Sequence, residues 1–210
     1  MLDYKNKNIS IGVINLRCNN IFSIINILKD LGFKIEVIDK KKIIKNDILL
    51  LPGVGSFPKA ASFLKKSGLD KEILKFAELN KPIVGICLGM QLLFDQSDEF
   101  KKTKGLSLIT GKVKKIPLIK TTVPNIGWQQ IKLKRKNFLI KESLNLNYFY
   151  FIHSYFCLPK DQKNIMSLSK INNFNFCSSI KKGNIYGMQF HPEKSGKSGI
   201  KILKNLQKII

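Results

Sequence analysis

Along the first half of the chain, short β-branched runs alternate with stretches in which apolar residues recur every three or four positions. Ile9–Asn15 predicts a strand. Ile21, Ile24, Ile25 and Leu28 fall on one face of a helix over Asn20–Leu31. Lys34–Ile38 and Asp47–Leu51 predict further strands, and Pro58–Lys66 and Leu69–Leu79 helices. Pro82–Ile86 reads as a buried strand running directly into Cys87, with a helix over Leu88–Asp95 beyond it. Strands alternating with helices are the signature of βαβ units on a parallel sheet. From about Leu106 the pattern becomes hairpin-like, with strands predicted at Gly111–Ile116, Gln129–Leu133, Tyr148–His153, Ile165–Leu168, Phe176–Lys181 and Ile185–Gln189. Ile200, Ile202, Leu203 and Leu206 suit a closing helix over Gly199–Ile210. The expected architecture is α/β: a mixed, mostly parallel sheet flanked by helices, with an antiparallel extension in the second half.

Length and composition narrow the class. At 210 residues and 44% apolar content, one core is expected, hence one domain over residues 1–210. The opening MLDYKNKNIS is polar, and no apolar run approaches the roughly 20 residues of a membrane helix. A cytoplasmic protein with neither signal nor membrane span is expected. The net charge of +23, from 37 basic and 14 acidic residues, would steer the chain toward acidic partners. Arginine, whose planar fork suits nucleic acid, appears only as Arg17 and Arg135. A codon bias toward Lys, Asn and Ile explains the charge better than nucleic-acid binding does. Cys18, Cys87, Cys157 and Cys177 form no CxxC pair, so neither a metal site nor a disulfide framework is expected.

Cys87 stands apart from the other three. In Gly85-Ile86-Cys87-Leu88-Gly89 it sits between two glycines, after a buried strand and before a helix. That is the cysteine version of the nucleophile elbow, a tight turn that lifts its central side chain above the sheet. A helix N-terminus there favours the thiolate, and the Leu88 amide would point at a developing oxyanion. A small buried hydrophobe packed between glycines is the competing reading. A thiolate nucleophile needs a proton carrier, and the chain has two histidines. In Gln189-Phe190-His191-Pro192-Glu193 an extended segment would put His191 and Glu193 on one face, with Glu193 holding one ring nitrogen and the other left for the thiol. His153, ending the aromatic strand Tyr148–Phe151, reads instead as a structural histidine. The loop Pro52-Gly53-Val54-Gly55 at another strand end could supply a second oxyanion donor or be an ordinary turn. It lacks the spacing of a phosphate loop.

The segments PGVGSF, GICLGMQLLF and QFHPEKS, in that order, resemble the class I, triad-type glutamine amidotransferases. With VPNIGW (Val123–Trp128) and FIHSYF (Phe151–Phe156), the likeness is to members serving as the glutaminase subunit of imidazole glycerol phosphate synthase. The resemblance implies a flavodoxin-like fold that hydrolyses L-glutamine and needs no cofactor. It also implies a heterodimer with a (βα)8-barrel cyclase subunit, which receives the ammonia for histidine biosynthesis. By position it makes Cys87 the nucleophile, His191 the acid/base and Glu193 the orienter. Leu88 with Gly53 and Val54 would form the oxyanion hole, and Gln91 with the Ser154–Tyr155 backbone would hold glutamine. Trp128, Lys194 and Asn20 would face the partner. Two positions depart from the usual VPHIGWN: Asn125 stands for histidine and Gln129 for asparagine. They keep open a rival acceptor, a barrel paralogue that amidates a polysaccharide sugar. A basic nucleic-acid binder with a vestigial site is the alternative of another class.

Overall fold

A computed structural model of the chain describes residues 9–17, 21–40, 43–117, 123–141 and 144–210. The first half alternates as its apolar pattern predicts: β1 (Ser10–Ile14), α1 (Phe22–Asp30), β2 (Lys34–Ile38), β3 (Ile48–Leu51), α2 (Phe57–Ser67), α3 (Leu69–Glu78) and β4 (Ile83–Ile86). Each helix forms because one stripe is apolar; in α1 the buried residues are Ile24, Ile25 and Leu28. Gly68, left-handed at φ 71°, ends α2 by donating its amide to the Lys65 carbonyl and lets α3 start at once.

Beyond β4 come α4 (Leu88–Leu92), β5 (Phe94–Ser97), β6 (Thr103–Lys104), β7 (Ile109–Lys115), β8 (Asn125–Gln130) and β9 (Lys132–Leu133). They are followed by β10 (Tyr148–His153), β11 (Tyr155–Pro159), β12 (Ile165–Ile171), β13 (Phe174–Lys182), β14 (Ile185–Met188) and α5 (Gly196–Lys204). The main sheet runs β2-β1-β3-β4-β14-β13-β12-β9. Its pairs from β2 to β14 are parallel, and β13, β12 and β9 form the antiparallel extension. All four residues of β4 are buried, since helices cover both faces of a parallel sheet. One apolar cluster joins β1, β3 and β4 to α1 and α5, and the other joins the opposite face to α2 and α3.

Two local expectations change, and one strand comes in addition. The helix predicted over Leu88–Asp95 stops at Leu92, and the chain turns into β5, which pairs with β7 and β6. Leu88 through Phe94 are all buried, so no periodicity marks the switch from helix to strand. The single strand expected over Gln129–Leu133 is two, because fully buried Ile131 pivots between β8, paired to β10, and β9, paired to β12. β11 belongs to a smaller four-stranded sheet, β11-β7-β5-β6, and β10 with β8 forms a separate ribbon.

Candidate active site

Sheet order brings the chemistry together. β4 lies between β3 and β14, both parallel to it, with Leu51 opposite Gly85 and Met188 opposite Ile86. The three carboxyl ends therefore deliver the Pro52–Gly55 loop, Cys87 and the Gln189–Glu193 segment to one edge, where ligands of open α/β sheets gather. Cys87 has φ 50° and ψ −107°, a region disfavoured for a side chain-bearing residue. Its amide donates to the Met188 carbonyl at 2.7 Å. The elbow can close only over glycines: a Cβ on Gly89 would lie 1.8 Å from the Leu51 carbonyl oxygen, and one on Gly85 2.6 Å from Gly89 backbone. α4 is a five-residue helix, so its dipole is weaker than that of the longer helix the sequence suggests.

His191 is buried, and its Nδ1 lies 2.7 Å from Glu193 Oε1. The segment is not extended as predicted. His191 itself is, but Pro192–Lys194 make one 3₁₀ turn, and that turn swings Glu193 back beneath the ring. The His191 amide donates to the Tyr150 carbonyl. Its own carbonyl accepts from the Ser195 hydroxyl at 2.6 Å, and that hydroxyl also accepts from the Tyr150 amide. Nε2 is buried without a hydrogen-bond partner among the described residues and faces Cys87. Burial works against a charged ring, but the Cys87 sulphur and the Glu193 carboxylate outweigh it and carry the His191 pKa up to about 10.

A cavity of about 560 Å³ opens over Cys87, with Leu88, Gln91, Glu99, Lys115 and Tyr155 in its lining. Gln91 Nε2 donates to the Tyr155 carbonyl at 3.1 Å and to Gln189 Oε1 at 3.2 Å, and Gln189 Nε2 approaches Cys87 Sγ at 3.5 Å. Glu99 accepts from the Phe57 amide at 2.7 Å, tying the cavity rim to the start of α2; burial raises its pKa, opposed by that hydrogen bond. His153, read from the sequence as structural, is buried and lines the same cavity. Burial among Phe151 and Phe176 lowers its pKa to about 4, opposed by its hydrogen bond to the Tyr155 carbonyl.

Two expected roles meet a different arrangement. The Leu88 amide donates to the Gly53 carbonyl at 3.3 Å, so the predicted oxyanion donor is occupied. The Ser154 carbonyl accepts from the Ile116 amide, and the Tyr155 carbonyl from both Gln91 and His153. Both lone pairs of the Tyr155 carbonyl are thus engaged. Val54 lines the cavity near the exposed Gly55. Trp128 is half exposed and meets Tyr150 edge-on at 5.9 Å, while exposed Lys194 lies 6.0 Å over the same ring. Asn20 and Cys18 lie outside the described residues. Gln189, Glu99 and Ser195 were not singled out from the sequence. Gln189 and Ser195 lie inside the quoted QFHPEKS, whereas Glu99 carries no local signal. Among the described residues no group of three or more His, Cys, Asp or Glu could hold a metal, and no helix is long and apolar enough to cross a membrane.

The family model for glutamine amidotransferase class-I matches residues 13–208. The imidazole glycerol phosphate synthase subunit HisH of Geobacillus sp. is 38% identical over 206 residues, 95% of this chain and 97% of the relative. The subunit of the same name from Wolinella succinogenes is 37% identical over 95% and 99% of the two chains. Among solved structures, PurLQS from Thermotoga maritima matches with a TM-score of 0.76 at 19% identity, covering 96% of this chain and 97% of that one. A crystal structure of a glutamine amidotransferase matches at 0.74 and 16%, covering 95% and 97%. At those identities the structural likeness concerns the fold.

Proposed function

The chain belongs to the glutamine amidotransferase class-I family, and on that premise we propose that it is the glutaminase subunit of imidazole glycerol phosphate synthase, a single-domain protein of the cytoplasm. It hydrolyses L-glutamine to glutamate and passes the ammonia to a (βα)8-barrel cyclase subunit in histidine biosynthesis. The observation that carries the reading is His191, held by Glu193 at 2.7 Å and interacting on its other side with Cys87, which itself opens onto the cavity.

In this reading Cys87 gives its proton to His191 and its sulphur attacks the γ-carboxamide carbon. The tetrahedral oxyanion collapses as His191 protonates the leaving ammonia, leaving a γ-glutamyl thioester. Water, deprotonated by His191, then cleaves the thioester and restores the thiol. Glu99 supplies the carboxylate that would receive the α-ammonium group, and Gln91 holds the amide end. The oxyanion hole needs one rearrangement. Turning the Gly53–Val54 peptide removes the carbonyl that occupies the Leu88 amide and brings the Val54 N–H round to the same point. Partner docking on the Trp128 and Lys194 face is the event that would drive it, so hydrolysis runs fast only when a closed path for ammonia exists.

In the two-subunit complex, Cys87→Ala is expected to abolish glutamine-dependent synthesis while added ammonium still supports it. Glutamine-dependent turnover persisting in that variant would overturn the assignment.

A further inference from the structure

A line of hydrogen bonds leads from the nucleophile to the β8–β10 ribbon, and both residues that depart from the VPHIGWN pattern lie on it. Asn125, Gly127 and Gln129 share one face of β8, since strand side chains alternate. Gly127 has no side chain to stand between its neighbours, so the amides of Asn125 and Gln129 meet across it. Gln129 Nε2 donates to Asn125 Oδ1 at 2.9 Å, and Asn125 Nδ2 to Gln129 Oε1 at 3.2 Å.

Strand pairing sets His153 opposite Asn125, with His153 Nε2 2.9 Å from Asn125 Nδ2 and Nδ1 2.8 Å from the Tyr155 carbonyl. A carbonyl only accepts, so Nδ1 carries the proton and Nε2 accepts from Asn125. The orientations of the Asn125 and Gln129 amides follow from that one assignment. The same Tyr155 carbonyl accepts from Gln91, which donates to Gln189, which donates to Cys87 Sγ. Next to His153, the Ile152 carbonyl lies 3.7 Å from Cys87 Sγ. Gln129 is half buried at the outer end, between exposed Trp128 and Gln130.

We propose that Asn125, Gln129 and His153 are positioning residues through which the seating of the β8–β10 ribbon sets the placement of Gln91 and the Cys87 thiol, and that Asn125 and Gln129 function only as a matched pair. Where the resembled pattern places a long side chain first and a short one second, this chain places the short one first and the long one second. The span over Gly127 is filled either way. One exchange alone leaves either a gap or a clash, and in both cases unpaired buried amide groups next to His153.

The inference rests on the proposed function for its readout, and the test separates the two. Glutamine hydrolysis is measured in the complex with the cyclase subunit for wild type, Asn125→His, Gln129→Asn and the double variant, per active site titrated with a thiol-directed glutamine analogue. Each single change is expected to lower kcat about tenfold, the size expected when a buried polar group loses its partner. The double variant is expected to return to within about threefold of wild type, a coupling that independent sites do not show. His153→Gln, which keeps one donor and one acceptor, should retain more activity than His153→Leu. Losses that multiply in the double variant, or single variants with unchanged kcat per titrated site, overturn the proposal. A wild-type complex that does not hydrolyse glutamine overturns the function instead.

Discussion

Cys87 holds its sulphur in place through a backbone bent into an unfavourable region, at a cost of about 1–3 kcal/mol that the surrounding packing must offset. The two histidines near it titrate in opposite directions. Burial opposes a charged His191, but Cys87 and Glu193 prevail and raise it from 6.5 to about 10. Its contribution to stability is therefore complete below pH 6.5 and lost as pH rises toward 10. Burial lowers His153 from 6.5 to about 4, so the unfolded chain binds that proton first, and stability is lost as pH falls from 6.5 to 4. The thermal midpoint is expected to peak near pH 6.5. Glu193→Gln should flatten the alkaline limb and His153→Gln the acidic one, and a limb indifferent to its own variant contradicts the corresponding assignment.

The strand–elbow–helix unit depends on contacts between backbones. Alanine at Gly89 would drive its Cβ into the Leu51 carbonyl, whereas at Gly183, in the β13–β14 turn at φ 55°, it would meet nothing within 4 Å. Gly89→Ala is expected to cost more than about 3 kcal/mol in chemical denaturation, and Gly183→Ala about 1 kcal/mol of backbone strain. Equal costs would mean that close approach does not govern the elbow. Elements with a definite period were legible beforehand: Lys34–Ile38 and Tyr148–His153 form strands over the residues predicted. β5 and β11 were not. β5 continues an apolar run already read as helix, and β11 exists because β7 offers it a hydrogen-bonding edge. The 3₁₀ turn at Pro192–Lys194 escaped notice because one proline fits either a strand end or a helix start.

Over the whole molecule 37 basic residues stand against 14 acidic ones, and the ion pairs of the described residues include Lys75–Glu72, Lys114–Asp98 and His191–Glu193. Self-repulsion of that size is relieved by salt. Raising ionic strength from about 0.01 to about 0.15 M should raise the thermal midpoint, as the screening length shrinks from about 30 to about 8 Å; a midpoint that stays level or falls shows the lysines too dispersed to matter. By itself the sequence determined the α/β class, the elbow at Cys87 and the partnership of His191 with Glu193, because those follow from periodicity, glycine spacing and residue chemistry within a few positions of one another. Only the tertiary structure decided that the Leu88 amide is occupied by Gly53 and that Glu99 reaches the cavity from the far side of a turn. It alone joined Asn125 and Gln129 to His153, and Gln91 through Gln189 to Cys87. Such contacts depend on which strands lie side by side and which way each loop folds back, and that is set by packing the whole sheet rather than by any local stretch of chain.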